Sequence, residues 1–171
     1  LGLRLSWGDC DIAVVPFDEI IPRILDGTYK SGLIIHEGQL TYVDNNLKVH
    51  LDLGVWWNER TDGWPMPLGG NVVRRDLGEK VMEDITKYTK MSIEFALNSP
   101  DEALEFAKKW GRGIDDDTNR EFVGMYVNDR TIDYKAEGRA SVRRFIQEGQ
   151  ELGLIQSDFD VESMSFIGSN E

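Results

Sequence analysis

Apolar residues fall along this chain in two rhythms. Up to about Leu68 they come in short runs and alternations, and beyond it they recur at helical spacing. Residues 11 to 16 (Asp-Ile-Ala-Val-Val-Pro) predict a short buried strand. Residues 18 to 26 predict a helix closed by Gly27, at the position that favours a left-handed turn. Pro22 falls near the middle of that helix, where it removes a donor and clashes with the preceding turn unless it sits in the first turn. Residues 32 to 35 predict a second strand, which runs directly into His36. From 47 to 53 the alternation is clean. Leu47, Val49, Leu51 and Leu53 point one way and Lys48, His50 and Asp52 the other, the pattern of a half-buried strand.

Residues 54 to 61, with Trp56 and Trp57, predict a short helix. A turn-rich crossing follows from 62 to 70, carrying Pro65, Pro67, Gly69 and Gly70, and then a brief strand over 71 to 74. Everything beyond reads as helix. Val81, Ile85, Tyr88, Ser92 and Phe95 mark one stripe at helical spacing. Ser99, Pro100 and Glu102 supply an N-cap, a proline at the first helical position and the reciprocal carboxylate of a capping box. Thr118 and Glu121 repeat that pattern for a third helix, and a fourth carries Val142, Phe145, Ile146 and Leu152 on one side.

Charge narrows the partners. Against 19 Lys plus Arg stand 31 Asp plus Glu, a net charge of -12, which repels nucleic acid and anionic membrane surfaces over the exterior. An acidic ligand therefore needs local donors in a focused site. With 171 residues, 40% of them hydrophobic, the chain can bury a substantial core. Cys10 is the only cysteine, so an intrachain disulfide and a cysteine-based zinc site are excluded, and a reducing, cytoplasmic setting is allowed. No apolar run approaches the roughly 20 residues of a membrane helix.

Two histidines are available for chemistry. His50 shares a face with Lys48 and Asp52 and reads as a solvated or salt-bridged surface residue. His36 ends an apolar run, where two readings stand: a core histidine satisfied by a backbone carbonyl, or a functional residue at the carboxyl end of a strand, where open α/β sheets place ligands. No metal is indicated, because the histidines lack the i, i+4 spacing of a helical zinc site. The run Asp115, Asp116, Asp117 lacks the ligand spacing and turn glycine of a calcium loop and reads instead as acid at a helix's positive end. Trp56 and Trp57 read as packing before they read as a stacking wall, and Arg74 and Arg75 as partners of surface acids before carboxylate ligands.

Three motifs in order, Gly32-Leu-Ile-Ile-His-Glu-Gly-Gln-Leu-Thr-Tyr42, Leu51-Asp-Leu-Gly-Val-Trp-Trp57 and Pro65-Met-Pro-Leu-Gly-Gly-Asn-Val-Val-Arg-Arg-Asp76, resemble the 1,4-dihydroxy-6-naphthoate synthase family of the futalosine route to menaquinone. Tyr126-Val-Asn128 and the 137 to 154 helix resemble that family's ending. The resemblance covers essentially the whole chain and is to the later part of such an enzyme, without its amino-terminal part. It implies an α/β fold of the type II periplasmic-binding-protein kind, two lobes around a cleft. Residues 1 to 67 would form the lobe carrying the His36 motif, and 68 to 171 the hinge strand and mainly helical part of the other lobe.

It further implies a carbon-carbon lyase that converts cyclic dehypoxanthine futalosine to 1,4-dihydroxy-6-naphthoate, without a cofactor and with His36 as general base. Imidazole suits that role, its ordinary pKa being about 6.5. Glu37 would orient the imidazole or cap the following helix. Gly38, serine in some members, would let backbone approach the ligand, and Thr41 and Tyr42 would offer hydroxyls to a small-molecule carboxylate substrate. Pro67, Gly69 and Gly70 would form the returning hinge, with backbone N–H groups near the ligand. Two other functions stay open: a non-catalytic solute-binding protein capturing a small carboxylate, and a chorismate dehydratase-like enzyme. A homodimer is likewise left open.

Overall fold

Helix dictates most of what this chain builds. The computed structural model describes residues 1–109, 115–156 and 159–168. In the first part, α1 (Gly2–Trp7), α2 (Ile20–Leu25), α3 (Gly38–Thr41) and α4 (Leu53–Arg60) are short and joined by long irregular segments. In the second, α5 (Glu79–Asn98), α6 (Pro100–Ala107), α7 (Asp116–Tyr126), α8 (Asp129–Ile132) and α9 (Lys135–Glu151) follow closely on one another. The proline in α2 is accommodated because the helix starts only at Ile20, which puts Pro22 in the first turn, where its missing N–H has no helical partner to lose. Gly27 takes a φ of 81°, as expected just past a helix end.

Among the described residues no strand is formed. Segments 11–16, 32–35, 47–53 and 71–74, all expected to be strands, run as irregular backbone, except that Leu53 begins α4. The physical reason lies in what stabilises a strand: ladder hydrogen bonds to a neighbour, which a helix does not need. Without a pairing neighbour among the described residues, many apolar side chains of these segments face outward, while Val15, Ile34, Leu47 and Val73 are half-buried. Val14 is 95% exposed and Val72 97%. The described residues thus supply the helical part of the expected architecture and form no sheet.

The core centres on the meeting of α4 and α9. Trp57 is fully buried, its ring edge-on to Phe145 at 5.1 Å, and its indole N–H donates to the equally buried Ser141 hydroxyl at 2.8 Å. That hydroxyl in turn donates to the Pro65 carbonyl at 2.6 Å, tying the crossing segment to both helices. The inward face of α9 includes the small residues Gly138, Ser141 and Gly149, which let other elements approach closely. Val142, Phe145 and Ile146 are half-buried beside them, whereas Leu152 lies past the helix end and is exposed. The packing reading of Trp57 is the one observed.

Two expectations about the helices need correction. The stripe Val81, Ile85, Tyr88, Ser92 and Phe95 of α5 is exposed throughout, and the face turned inward holds Met82, Thr86, Thr89 and Ile93. Apolar side chains occupy both faces of α5, so spacing fixes the helix and leaves its rotation open. At the start of α7 the cap is Asp115 rather than Thr118. The Asp115 carboxylate accepts the backbone N–H groups of Asp117 and Thr118 and the Thr118 hydroxyl. These bonds, the Thr118 backbone bond first, hold its carboxyl below the ordinary range. The acidic run therefore serves the helix end, as its sequence suggested. Ser99 and Pro100 stand at the expected positions of α6, but no side-chain bond completes the capping box there.

Candidate active site

The His36 turn is built from α2 outward. Segment 32–35 lies directly against α2: a Cβ on Gly32 would stand 2.4 Å from Ile20 Cγ2 and 3.1 Å from Ile24 Cδ1, so only glycine permits this approach. The chain then turns at His36. The backbone N–H of Gln39 donates to the His36 carbonyl and that of Leu40 to the Glu37 carbonyl, both at 2.9 Å, starting the single turn of α3.

The imidazole is held on several sides. Phe17 packs against it with ring centroids 5.5 Å apart, and the Gly38 backbone N–H donates to Nδ1 at 3.0 Å. Only 13% of its side chain is exposed. Nε2 is buried with no hydrogen-bond partner, an arrangement that costs about 1–3 kcal/mol when it persists. Of the two readings of His36, the core one required a backbone carbonyl as acceptor, and that carbonyl is not there. Gly38 is required by this packing, since a Cβ would fall 2.6 Å from His36 Cε1 and 2.8 Å from Ile21 Cδ1. The space beside the glycine belongs to the histidine itself.

Glu37 occupies the N-cap position of α3 but its side chain makes no capping bond there, and its Oε2 lies 3.8 Å from His36 Nδ1. Thr41 closes α3, its carbonyl accepting from the Asn45 amide at 3.1 Å, and Tyr42 begins the 3₁₀ turn that follows, half-buried. Gln39 reaches across to donate to the Tyr126 hydroxyl at 2.6 Å, fastening α3 to α7. Sequence reading overlooked this link and the Phe17 contact. Both residue types lack a periodic signal, although Tyr126 lies in a motif already singled out.

Pro67, Gly69 and Gly70 stand elsewhere. They line a groove of about 760 Å³ with residues of α5, α8 and α9, and none of His36, Glu37, Gly38, Thr41 or Tyr42 contributes to it. The Tyr134 hydroxyl donates to the Gly69 carbonyl at 3.4 Å and would lie 3.2 Å from a Cβ at Gly70, covering this stretch. Inside the same groove Arg139 pairs with Asp133 at 3.1 Å. The structure therefore divides the expected site residues into two groups. Arg74 pairs with Asp76 at the surface, as expected of it, while Arg75 donates to the Ser163 carbonyl at 3.4 Å. His50 is exposed and tilts against Trp7 at 4.8 Å. Among the described residues no cluster of three or more His, Cys, Asp or Glu is placed to hold a metal, and no helix is long and apolar enough to cross a membrane.

A family profile described as menaquinone biosynthesis matches residues 3–151. The chain belongs to this menaquinone biosynthesis family. It is 38% identical over 140 residues to the 1,4-dihydroxy-6-naphthoate synthase of Thermus thermophilus, covering 82% of this chain and 51% of that one. To the synthase of the same name from Streptomyces coelicolor it is 32% identical over 145 residues, covering 85% and 51%. The chain thus spans about half the length of these curated relatives. A crystal structure of an Archaeoglobus fulgidus protein superimposes with a TM-score of 0.85 at 42% identity, covering 90% of this chain and 58% of that one. That likeness, at high identity, establishes the shared fold of this part of the family. It also fits the order of motifs that first suggested the relationship.

Proposed function

We propose that this chain serves the lyase reaction that makes 1,4-dihydroxy-6-naphthoate from cyclic dehypoxanthine futalosine, with His36 at the proton-transfer step as general base. The observation that carries the reading is the buried and unpartnered Nε2 of His36, a polar atom of a ring packed against Phe17 and left without a partner at a cost unless a ligand meets it. Family membership and the two synthase relatives support the reaction class. Thr41 and Tyr42, on the same turn, are the hydroxyls we assign to a small carboxylate substrate. Pro67, Gly69 and Gly70 we keep as the crossing between two units, 1–67 and 68–171, of a two-lobed α/β architecture acting in the cytoplasm.

The test is turnover of the cyclic futalosine by the intact enzyme and by its His36→Ala variant. Positioned proton transfer is worth on the order of 10² to 10⁴ in rate, so kcat falls by about that factor while the far-ultraviolet circular dichroism stays the same. Unchanged turnover refutes the role of His36. Tight binding of a carboxylic acid with no turnover in the unsubstituted protein makes it a solute-binding protein instead.

A further inference from the structure

Two groups face the same nitrogen of His36, and they demand opposite things of it. The Gly38 N–H, 3.0 Å from Nδ1, is a donor and needs a lone pair there. The Glu37 carboxylate, 3.8 Å from Nδ1, is an acceptor and needs a proton there. A neutral imidazole carries one proton, so satisfying one group fixes the state of the other nitrogen. We propose that Glu37 and the Gly38 N–H compete for His36 Nδ1, and that the winner decides whether Nε2 meets the substrate as a hydrogen-bond donor or as a base.

In the arrangement observed Gly38 holds Nδ1, so a neutral ring carries its proton on Nε2. That N–H is buried with no acceptor, so the resting site offers a donor to an oxygen of the substrate, a carboxylate or carbonyl. Base catalysis requires the other tautomer. The Gly38 bond breaks, Nδ1 takes a proton from a water molecule, and the Nε2 proton goes back to the hydroxide left behind, so the ring ends neutral with its proton on Nδ1. The Glu37 side chain then moves in by about 1 Å to accept Nδ1–H at hydrogen-bond distance. The freed Nε2 lone pair takes the substrate proton, and the imidazolium formed is balanced by the Glu37 carboxylate. Glu37 is accordingly a positioning residue. Its side chain is free for this task because it makes no capping bond. Gly38 is the other half of the device, since a Cβ 2.6 Å from the ring would push Nδ1 away from the amide.

This inference rests on the lyase reading of His36, and the experiment separates the two. Long-range nitrogen-15 spectra of histidine-labelled protein, taken above about pH 8 where ordinary imidazoles are neutral and assigned with His50→Gln, report the tautomer directly. The expected result is a protonated Nε2 and a bare Nδ1, unchanged in Glu37→Gln. In the intact enzyme Glu37→Gln lowers kcat by at least about tenfold with KM altered less than about twofold, and Glu37→Asp recovers part of the loss. A proton on Nδ1 at rest overturns the proposal. So does a Glu37→Gln enzyme with unchanged kcat, since a carboxylate serving only the helix end would not move it. If His36→Ala turns over normally, the lyase reading fails, whichever tautomer is found.

Discussion

Removing one oxygen atom from Ser141 tests the core of this molecule. Ser141→Ala deletes the hydroxyl that accepts from the Trp57 indole and donates to the Pro65 carbonyl. Both side chains of the first bond are fully buried, so no water replaces the partner. Leaving the indole N–H unsatisfied costs about 1–3 kcal/mol, and the Pro65 carbonyl adds to this. Against that, alanine favours the interior of α9 over serine by about 0.5 kcal/mol. The net loss comes to about 1.5–3 kcal/mol. For a urea slope of about 1–3 kcal/mol/M the unfolding midpoint drops by roughly 1 M, read by circular dichroism at helical wavelengths. A double-mutant cycle isolates the bond: on a Trp57→Phe background the indole donor is already gone, and the cost of Ser141→Ala shrinks by about 1 kcal/mol. A loss under about 0.5 kcal/mol for Ser141→Ala alone, the range of an ordinary surface change, refutes the reasoning.

Two further outcomes follow from the helices. Gly124 lies within α7 and a Cβ there meets no atom within 4 Å, so Gly124→Ala stabilises by about 0.5–1 kcal/mol, and a lowered thermal midpoint would count against this. The Asp115 carboxyl, held below its ordinary range chiefly by the Thr118 backbone bond, contributes fully above about pH 4 and loses its contribution as pH falls through the depressed value. Asp115→Ala therefore lowers helicity at neutral pH and flattens the acid side of the circular dichroism titration; parallel acid curves for the two proteins would show that the cap is not what titrates.

What the sequence could show depended on whether the deciding interaction was local. Trp56 and Trp57 on a short helix, Gly27 at a helix end and the acidic start of α7 are consequences of near neighbours, and each was legible. The rotation of α5 was not, because Val81 and Met82 begin two stripes of equal spacing and only tertiary packing chooses between them. Strands at 11–16, 32–35 and 71–74 were read from apolar runs, yet a strand exists only beside another strand. At the site, the strand-to-turn position marked His36 and the motif marked Glu37 and Gly38. What Gly38 does for the imidazole is a matter of 2.6 Å and 3.0 Å, which no spacing along a chain encodes. Ser141 escaped notice for the opposite reason, being a small polar residue on a helix scanned for large apolar ones.

The dry indole of Trp57 has a use beyond holding α4 to α9. Among the described residues Trp7 is nearly half open to water and Trp56 and Trp64 are partly so, whereas Trp57 has no exposed surface and its indole N–H meets the Ser141 hydroxyl. Among the described tryptophans its emission lies furthest to the blue and is shielded from a dissolved quencher such as iodide. The spectrum thus carries a built-in gauge of this one joint: water reaching the indole reddens the light while the flanking helices are still wound.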